Sequence, residues 1–437
     1  MADTLNIENT TERTIHPARN LIGTLRLPGD KSISHRYALL AAMAEGISRF
    51  HNFSTGADCS SSLDCVQQLG AKVTRSADTV EVEGCAGVFT PPGTLLDCGN
   101  SGSTMRMLSG LLAAQAGDFT LLGDASLNRR PMERVRKPLL EMGASIQLTD
   151  GHAPVEIHGA KLHGIEYRTP VPSAQVKTAL LFAGLQAAGT TTVSEAVRTR
   201  DHGELALRAF GAEIRRTTDS VTITGGQKLH GIEATVPGDM SSAAFFLCAA
   251  ALFPESSLVL DQLGMNPTRA TLLDVLTALG AKISVLNLEE NQGELIGSVQ
   301  LVAPPQGLGS TEISGPLAAQ LIDELPVLAA IAPYTRGGIR IRDARELRVK
   351  ESDRIALVAR NLRAMGAEVT EFDDGLDVPG GQELQGAVVD SGGDHRIAMA
   401  FAVAALRAAG DTQVLGADAA AISFPEFFHL LEQVTER

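Results

Sequence analysis

The chain has 437 residues, of which 44% are hydrophobic, and it carries a formal net charge of −14. This acidic balance excludes most nucleic-acid-binding proteins and proteins that dock on anionic membranes, because both depend on basic surfaces. The length exceeds that of an ordinary single domain and predicts two domains.

Compartment and redox state are indicated by what the sequence lacks. Residues 1–9 have neither the basic start nor the apolar centre of a signal peptide. No apolar run approaches the ~20 residues that span a bilayer. The five cysteines form no CxxC pair, so we expect reduced thiols rather than a disulfide framework or a metal site. These features predict a cytoplasmic protein without a membrane anchor.

Six alanine-rich stretches along the chain each predict a helix. Their apolar residues lie nearly all round, which is typical of a helix buried on every side. Most of the stretches end at glycine, which favours a helix C-terminus. The stretches are His35–Gly46, Thr104–Gly117, Ala174–Gly189, Ser242–Phe253, Asp323–Thr335 and His395–Gly410. Predicted strands follow them at Ser48–Phe53, Asp118–Leu122, Thr190–Val193, Ser257–Leu260, Gly338–Ile341 and Thr412–Leu415.

A second helix with a charged face follows each of these strands. It ends in a recurring Gly-Ala pair, which stands at 70–71, 143–144, 211–212, 280–281 and 366–367. An alternating strand pair comes next, for example Val73–Arg75 with Val80–Glu83. Such repetition indicates one folding unit, in the order β-α-β-α-β-β, used several times. The last copy lacks its strands after the helix Glu426–Val434, while orphan strands stand near Thr14–Leu27, so we expect the N-terminal strands to join the C-terminal units.

The repeat predicts an α/β (α+β) fold with two domains. Each domain is expected to be an inside-out α/β barrel of three units, with the alanine-rich helices buried at its centre. One domain comprises residues 1–28 with 240–437, and the other comprises residues 29–239. The chain would cross between them near 28–30 and near 237–240, where proline and glycine occur. We expect hinges at these two crossings.

Small polar clusters stand at the starts of the buried helices. Unpaired backbone N–H groups and the helix dipole favour bound anions at such positions. The first cluster contains Lys31, Ser32 and Arg36 but lacks the glycine before lysine that a P-loop requires. A lysine at a helix N-terminus opposes the dipole, so we predict that Lys31 has a bound anion as its partner.

Two further clusters offer backbone access and cations. Asn100 and Gly102 lie in a loop of small residues, where a ligand could approach the main chain closely. Arg129 and Arg130 are adjacent and suit bidentate contacts with carboxylate or phosphate. An anionic small molecule is the ligand that these residue types favour.

Acidic residues complete the pattern in the second half of the chain. Asp323 lies in an apolar stretch and Asp394 opens an apolar helix, so each needs a partner or a chemical task. The dense charge run 345–354 is predicted to open a helix on which Glu351 and Arg354 share one side. A carboxylate beside the cations Lys350 and Arg354 suits proton transfer.

Nine segments in order resemble the enolpyruvyl transferases, and among them the branch that acts on shikimate 3-phosphate. The resemblance covers about Ile22 to Phe428, in the segments LPGDKSISHR (27–36), GNSGSTMR (99–106), RRPM (129–132), SAQVK (173–177), TRDH (199–202), PGDMSSAAFF (237–246), IDELP (322–326), RVKESDR (348–354) and DHRIAMAF (394–401). It implies a monomer with the active site in a cleft between two domains, and no metal or organic cofactor. It also implies phosphoenolpyruvate and shikimate 3-phosphate as substrates, glyphosate as an inhibitor, and a place in aromatic amino acid biosynthesis.

The resemblance also assigns roles to residues of this sequence. Asp323 would accept the hydroxyl proton, and Glu351, beside Lys350, would protonate and later deprotonate the methylene carbon; with Lys31 these are the expected catalytic residues. The expected shikimate 3-phosphate ligands are Ser32, Arg36, Ser173, Ala174, Gln175 and Arg200. The expected phosphoenolpyruvate ligands are Lys31, Arg130, Arg354 and Arg396. Asn100, Gly102 and Lys350 are expected to line the same site.

This chain departs from the family pattern at one position and gives conflicting signals at another. Many relatives carry a lysine two residues before Phe424-Pro425, where this chain has Ile422. The segments 173–177 and 199–202 look like a glyphosate-tolerant branch that tends to carry alanine at the position of Gly102. We therefore predict intermediate sensitivity to glyphosate.

Three other functions are weighed against this interpretation. An enolpyruvyl transferase acting on UDP-N-acetylglucosamine usually carries a reactive cysteine in a mobile loop, and the corresponding stretch 124–130 has none. A non-catalytic binder of phosphorylated metabolites would be expected to lose Asp323 or Glu351, and both are present. An RNA-cyclase-like relative should be basic, whereas this chain is acidic.

Overall fold

The computed structural model describes residues 11–76 and 79–437. Its six alanine-rich helices are buried along nearly their whole length, as predicted. Each ends before its alanine-rich stretch does, because the chain turns ahead of the last residues of the stretch. These buried helices are Lys31–Met43, Gly102–Leu112, Ala174–Gly184, Met240–Ala251, Leu325–Ile331 and His395–Ala405.

Half-buried helices alternate with the buried ones, and the Gly-Ala pair ends five of them as the repeat predicts. The glycine of each pair has a positive φ, from 86° at Gly366 to 108° at Gly70. Only glycine adopts this region readily, which explains why the residue recurs. These second helices are Ala57–Gln68, Glu133–Glu141, His202–Ala209, Thr271–Ala278, Arg354–Ala364 and Phe427–Val434.

Six small mixed sheets surround the buried helices. In the complete ones a parallel pair is extended by two antiparallel strands. The first-lobe sheets, in spatial order, are Glu233–Thr235, Ile47–His51, Thr79–Glu83 and Lys72–Ser76; then Leu96–Asp97, Asp118–Leu122, His152–His158 and Ser145–Thr149; then Glu166–Thr169, Thr190–Glu195, Ser220–Thr224 and Ile214–Arg216. The second-lobe sheets are Asn20–Arg26, Ser257–Gly264, Glu294–Val302 and Lys282–Asn291, with Thr435–Glu436 at the edge; then Thr311–Ile313, Ile339–Ile341, Gly375–Val378 and Thr370–Phe372; then Val388–Asp390, Thr412–Leu415 and Arg13–Ile15.

The N-terminal strands join the C-terminal units, as predicted. Arg13–Ile15 pairs antiparallel with Thr412–Leu415 and adds the third strand to the sheet of the sixth unit. Asn20–Arg26 pairs parallel with Ser257–Gly264 and supplies the first strand of the fourth unit. The same strand pairs with Thr435–Glu436 near the C-terminus.

Two hydrophobic cores divide the molecule into two lobes. The core of the first lobe runs from Ile33 to Val236, and that of the second contains Ile15 to Leu27 with Met240 to Val434. The chain passes between the lobes twice, and the two crossing segments lie side by side, joined by an antiparallel bridge between Gly29 and Gly238. The domain boundaries and the hinges stay predictions, and residues 1–10 of the expected first segment lie outside the described residues.

The fifth unit differs from its prediction in two places. Its buried helix begins at Leu325 instead of Asp323, because Pro326 occupies the first turn, where proline fits. Its second helix begins at Arg354 with Asp353 as the N-cap, whose side chain accepts from the N–H of Ala356 at 3.0 Å. The charge run therefore precedes the helix, partly as the short 3-10 helix Arg345–Val349, and Asp323 lies in a turn.

Other short segments link these elements. The helix Gly315–Gln320 precedes the fifth buried helix, and 3-10 helices form at Leu127–Arg129, Ala332–Tyr334 and Ala417–Ile422. Among the helices of residues 11–76 and 79–437, none is both long and apolar enough to cross a lipid bilayer.

Candidate active site between the lobes

The predicted site residues of the two lobes meet at one place. Nη1 of Arg130, in the first lobe, lies 3.3 Å from Oε1 of Glu351 in the second. Nη2 of Arg200 lies 2.5 Å from Oδ2 of Asp323 across the same boundary. These cross-lobe pairs form because the chain turns that carry them face each other. The structure thus brings the predicted catalytic carboxylates against the predicted anion-binding arginines.

Asp323 lies among cations from both lobes. Besides Arg200, its carboxylate has Lys350 and Arg354 at 3.6 Å and Arg396 at 3.9 Å. Burial raises the pKa of Asp323, but Lys350 and these arginines lower it by more than burial raises it. The net pKa of Asp323 lies well below its ordinary value. The group is therefore ionised at neutral pH.

Glu351 and Arg354 form a close pair, although not for the predicted reason. Nη2 of Arg354 donates to Oε2 of Glu351 at 2.6 Å, yet Glu351 stands in the turn before the helix and not on its face. Nε of Arg354 also donates to Asp394 at 2.8 Å. Burial raises the pKa of Glu351, while Arg354 and Arg130 lower it and bring the net value well below the ordinary one.

The bound anion predicted as the partner of Lys31 stays a prediction, and the structure adds a carboxylate partner that the sequence did not indicate. Nζ of Lys31 donates to Oδ2 of Asp58 at 2.9 Å, and the backbone N–H of the lysine donates to Asp239, beside the second chain crossing, at 2.9 Å. Burial lowers the pKa of Lys31, but Asp58 raises it, and the net value lies above the ordinary one. A lysine is tolerated at this helix start because the negative charge of Asp58 offsets the repulsion between the lysine and the helix dipole. Lys31 itself stays protonated and can still bind an anion.

The loop of small residues is fixed by arginines. Oδ1 of Asn100 accepts from Nη2 of Arg130 at 2.6 Å, and Nη1 of Arg106 donates to Oε1 of Gln175 at 2.7 Å. A Cβ added to Gly102 would lie 2.9 Å from Nη1 of Arg106. The loop therefore presents its backbone directly beside two guanidinium groups. Of the adjacent pair, Arg130 is buried while Arg129 is exposed and takes no part.

Except for Arg200, the residues expected to hold shikimate 3-phosphate occupy two neighbouring helix starts. Ser173 caps the helix that begins at Ala174, and its hydroxyl accepts from the N–H of Val176 at 3.4 Å. Arg36 donates through Nη1 to the carbonyl of Ser32 at 2.8 Å and through Nη2 to Thr178 at 3.0 Å. Burial lowers the pKa of Arg36 to about 10, so it remains a cation at neutral pH.

Several residues of the site were not predicted from the sequence. Arg106 stands in a segment that was recognised, but its partner Gln175 is 69 residues away. Asp58 looks like an ordinary first-turn acid of its helix. His395 is buried beside Arg396, and within the described part of the chain both of its ring nitrogens lack a hydrogen-bond partner. Burial lowers the pKa of His395 to about 3, so its ring is neutral at physiological pH.

Ile422, which stands where many relatives have a lysine, lies at the end of the 3-10 helix Ala417–Ile422. The backbone of the next residue, Ser423, packs against the first lobe so closely that a Cβ on Gly56 would lie 2.8 Å from its carbonyl oxygen. Gly56 directly precedes the helix that carries Asp58. The segment thus borders the Lys31 region without adding a cation at position 422.

The meeting point of the two lobes, where cations from both surround two ionised carboxylates, is typical of an enzyme that acts on small anionic molecules. The family model of EPSP synthase (3-phosphoshikimate 1-carboxyvinyltransferase) matches residues 15–431. A 3-phosphoshikimate 1-carboxyvinyltransferase of Koribacter versatilis (strain Ellin345) is 64% identical over 424 residues, which are 97% of this chain and 99% of that protein. One of Solibacter usitatus (strain Ellin6076) is 53% identical over 428 residues, covering 97% of this chain and 100% of that protein.

The solved structures agree with the sequence relatives. A structure of EPSP synthase from Acinetobacter baumannii superposes with a TM-score of 0.86 at 38% identity, covering 98% of each chain. The chain belongs to the EPSP synthase family, so the resemblance drawn from its nine segments and the two-lobed inside-out fold are confirmed.

Proposed function

We propose that this enzyme transfers the enolpyruvyl group of phosphoenolpyruvate to the 5-hydroxyl of shikimate 3-phosphate and releases phosphate. The observation that carries the proposal is the pairing of Arg200 with Asp323 and of Arg130 with Glu351 across the cleft. Each pair joins an expected anion ligand to an expected proton-transfer group. The reaction therefore uses residues of both lobes at once.

The reaction proceeds by addition and then elimination. A proton is added to C3 of phosphoenolpyruvate while the 5-hydroxyl oxygen bonds to C2 and loses its proton to Asp323, giving a tetrahedral intermediate. Removal of a proton from C3 then forms the new double bond and expels phosphate. Glu351 acts on C3 in both steps, with Lys350 beside it. Lys31, Arg130, Arg354 and Arg396 hold the phosphate and carboxylate of phosphoenolpyruvate throughout, as fixed charges that need no rearrangement.

Glu351 needs a proton before it can act on C3, and its neighbours explain how it gains one. Arg130 and Arg354 keep its pKa low in the free protein. When the anionic groups of phosphoenolpyruvate engage these arginines, their charge is shared with the substrate and a new negative charge lies nearby. Both effects raise the pKa of Glu351 towards the range of a general acid. Substrate binding itself thus prepares the acid.

The acceptor is tested by measuring phosphate release from phosphoenolpyruvate with either shikimate 3-phosphate or UDP-N-acetylglucosamine added. We expect release with shikimate 3-phosphate only. Release only with UDP-N-acetylglucosamine would assign the enzyme to the other acceptor. No release with either, from a protein that still binds shikimate 3-phosphate by calorimetry, would leave a non-catalytic binder of phosphorylated metabolites.

Inhibition by glyphosate belongs to the same proposal and depends on Gly102. Alanine is compatible with the backbone here, because φ lies outside the positive region and the nearest atom is the far end of the long Arg106 side chain and not backbone. The new methyl group would, however, stand 3.4 Å from Nη1 of Arg130. One methyl group changes binding in a tight site by roughly 10–200-fold, so Gly102→Ala should raise the inhibitory concentration of glyphosate at least about tenfold. Inhibition curves for both proteins at equal saturation with phosphoenolpyruvate test this, and coincident curves would contradict it.

The assembly and motion of the enzyme are proposals of the same kind. It works in the cytoplasm. It works as a monomer, because the two lobes of one chain together supply the residues of the site. Residues 1–28 with 240–437 form one domain and residues 29–239 the other. The domains open and close about the crossings near 28–30 and 237–240, and closure forms the Arg130–Glu351 and Arg200–Asp323 contacts.

A further inference from the structure

One hairpin of the second lobe is longer than its counterparts in the other units. Its strands Lys282–Asn291 and Glu294–Val302 have 10 and 9 residues, whereas those of the first unit, Lys72–Ser76 and Thr79–Glu83, have 5 each. Since the units share one plan, the sheet itself does not need the added length. The extension must therefore be explained by what its tip contacts.

The tip of this hairpin, residues 291–294, reaches the first lobe. Oδ1 of Asn291 accepts from the N–H of Thr235 at 3.3 Å, and Nε2 of Gln292 donates to the carbonyl of Glu233 at 3.1 Å. A Cβ on Gly293 would lie 3.5 Å from the side chain of Leu205. The hairpin thus bridges the two lobes at a distance from the chain crossings.

Glu294 inserts a carboxylate into a buried cross-lobe cluster. Its Oε1 lies 2.6 Å from Nδ1 of His202, and its Oε2 accepts from Nδ2 of Asn266 at 3.1 Å. His202, Asn266 and Glu294 are only 2–3% exposed. A buried charge pair is costly to desolvate and seldom adds net stability. Its presence between two lobes is better explained by the geometry it imposes.

The cluster directly fixes the segment that carries Arg200. His202 and Asp201 are the next two residues, and Nδ2 of Asn266 also donates to Oδ1 of Asp201 at 2.8 Å. Arg216 holds the other oxygen of Asp201 at 2.7 Å. The backbone just after Arg200 is therefore held from both lobes, which aims its side chain at Asp323 and at the expected substrate position.

We propose that Glu294, His202 and Asn266 form a clasp between the lobes that positions Arg200 for shikimate 3-phosphate. The three are positioning residues and not catalytic residues, since they contact Arg200 only through its neighbours in the chain. The proposal rests on the function proposed above. It adds a specificity role to a hairpin whose length the folding unit does not require.

The test measures Glu294→Gln and His202→Gln beside the control variant Glu290→Gln. The control makes the same glutamate-to-glutamine change as Glu294→Gln, but at an exposed position of the same hairpin. Misplacing one charged ligand contact should raise KM for shikimate 3-phosphate about tenfold in both clasp variants. KM for phosphoenolpyruvate should change less than about twofold, and Glu290→Gln should match the wild type. Because both substitutions break one contact, the double variant should be no worse than either single one.

The outcomes separate the clasp from a merely structural role and from the proposed reaction. Unchanged KM for shikimate 3-phosphate in both clasp variants, or an equal rise in both KM values with a lowered melting temperature, would overturn the clasp. If Glu294→Gln does not fold, His202→Gln and Asn266→Ser decide the question. If the wild type itself releases no phosphate, the proposed reaction fails, and calorimetric binding of shikimate 3-phosphate to the same variants still tests the clasp.

Discussion

Replacing Glu351 with glutamine is expected to lower kcat by roughly 10²–10⁴-fold, the usual range for a lost general acid–base group. Glutamine has nearly the same shape, and its one carbonyl oxygen can still accept a hydrogen bond from Arg354, but it cannot donate or accept the C3 proton. KM for both substrates should therefore change much less than kcat. Steady-state phosphate release at saturating concentrations of both substrates measures the effect.

A matched control lies five residues earlier in the same segment. Glu346 pairs with Arg134 across the lobes at 2.6 Å but is 39% exposed, and Glu346→Gln should change kcat by less than about threefold because exposed pairs contribute little. Asp323→Asn should resemble Glu351→Gln, since we propose that Asp323 accepts the hydroxyl proton. A Glu351→Gln enzyme that retains more than about a tenth of wild-type kcat would remove Glu351 from the proton-transfer steps.

Replacing Arg354 with methionine is expected to destabilise the protein by about 3–5 kcal/mol, the cost of leaving a buried charge without its partner. The side chains of Arg354 and Asp394 are 1% and 0% exposed, and the arginine also forms an ion pair with Glu351. Burial raises the pKa of Asp394 and Arg354 lowers it, with a net value below the ordinary one. In the wild type, the stability that the Arg354–Asp394 pair contributes is therefore fully present above the unfolded pKa of Asp394, which is about 4, and is lost as pH falls through its folded pKa. The difference in unfolding free energy between wild type and variant should therefore shrink in acid.

Urea unfolding at neutral and acidic pH measures this loss. Arg340→Met is the control, because Arg340 pairs with Asp377 at 2.6 Å but is 54% exposed, and it should cost less than about 1 kcal/mol. Adding Asp394→Asn to Arg354→Met should restore part of the stability, since asparagine is neutral and can still cap the helix. Equal losses for Arg354→Met and Arg340→Met would show that burial of the pair has no energetic consequence.

The fold could be predicted in large part because its repeat leaves a local trace. Each Gly-Ala pair marks a place where the chain needs a positive φ, and that requirement is visible in the sequence itself. Helix boundaries were predicted less well where a proline, and not the spacing of apolar residues, sets the start of the helix. Near Pro326 the acids Asp323 and Glu324 interrupt an apolar stretch, and the proline, which fits the first turn of a helix, decides that the helix begins at Leu325.

The site could be predicted only as far as its residues act locally. Lys31, Arg36 and Ser173 stand at helix starts, where the dipole and free N–H groups make their chemistry readable. The pairing of Lys31 with Asp58 was missed because first-turn acids are common and seldom indicate a long-range partner. His202 and Glu294 are 92 residues apart, and nothing within either segment points to the other.

The strand Asn20–Arg26 also has a consequence for how the protein is made. It leaves the ribosome early, yet the hydroxyl of Ser256 that accepts from the N–H of Leu21 is 235 residues further along the chain. At about 5–20 residues per second, translation leaves this strand without its sheet for roughly 10–50 s. All residues of the first lobe are synthesised within that interval, so the second lobe can begin to fold beside a neighbour whose chain is already complete.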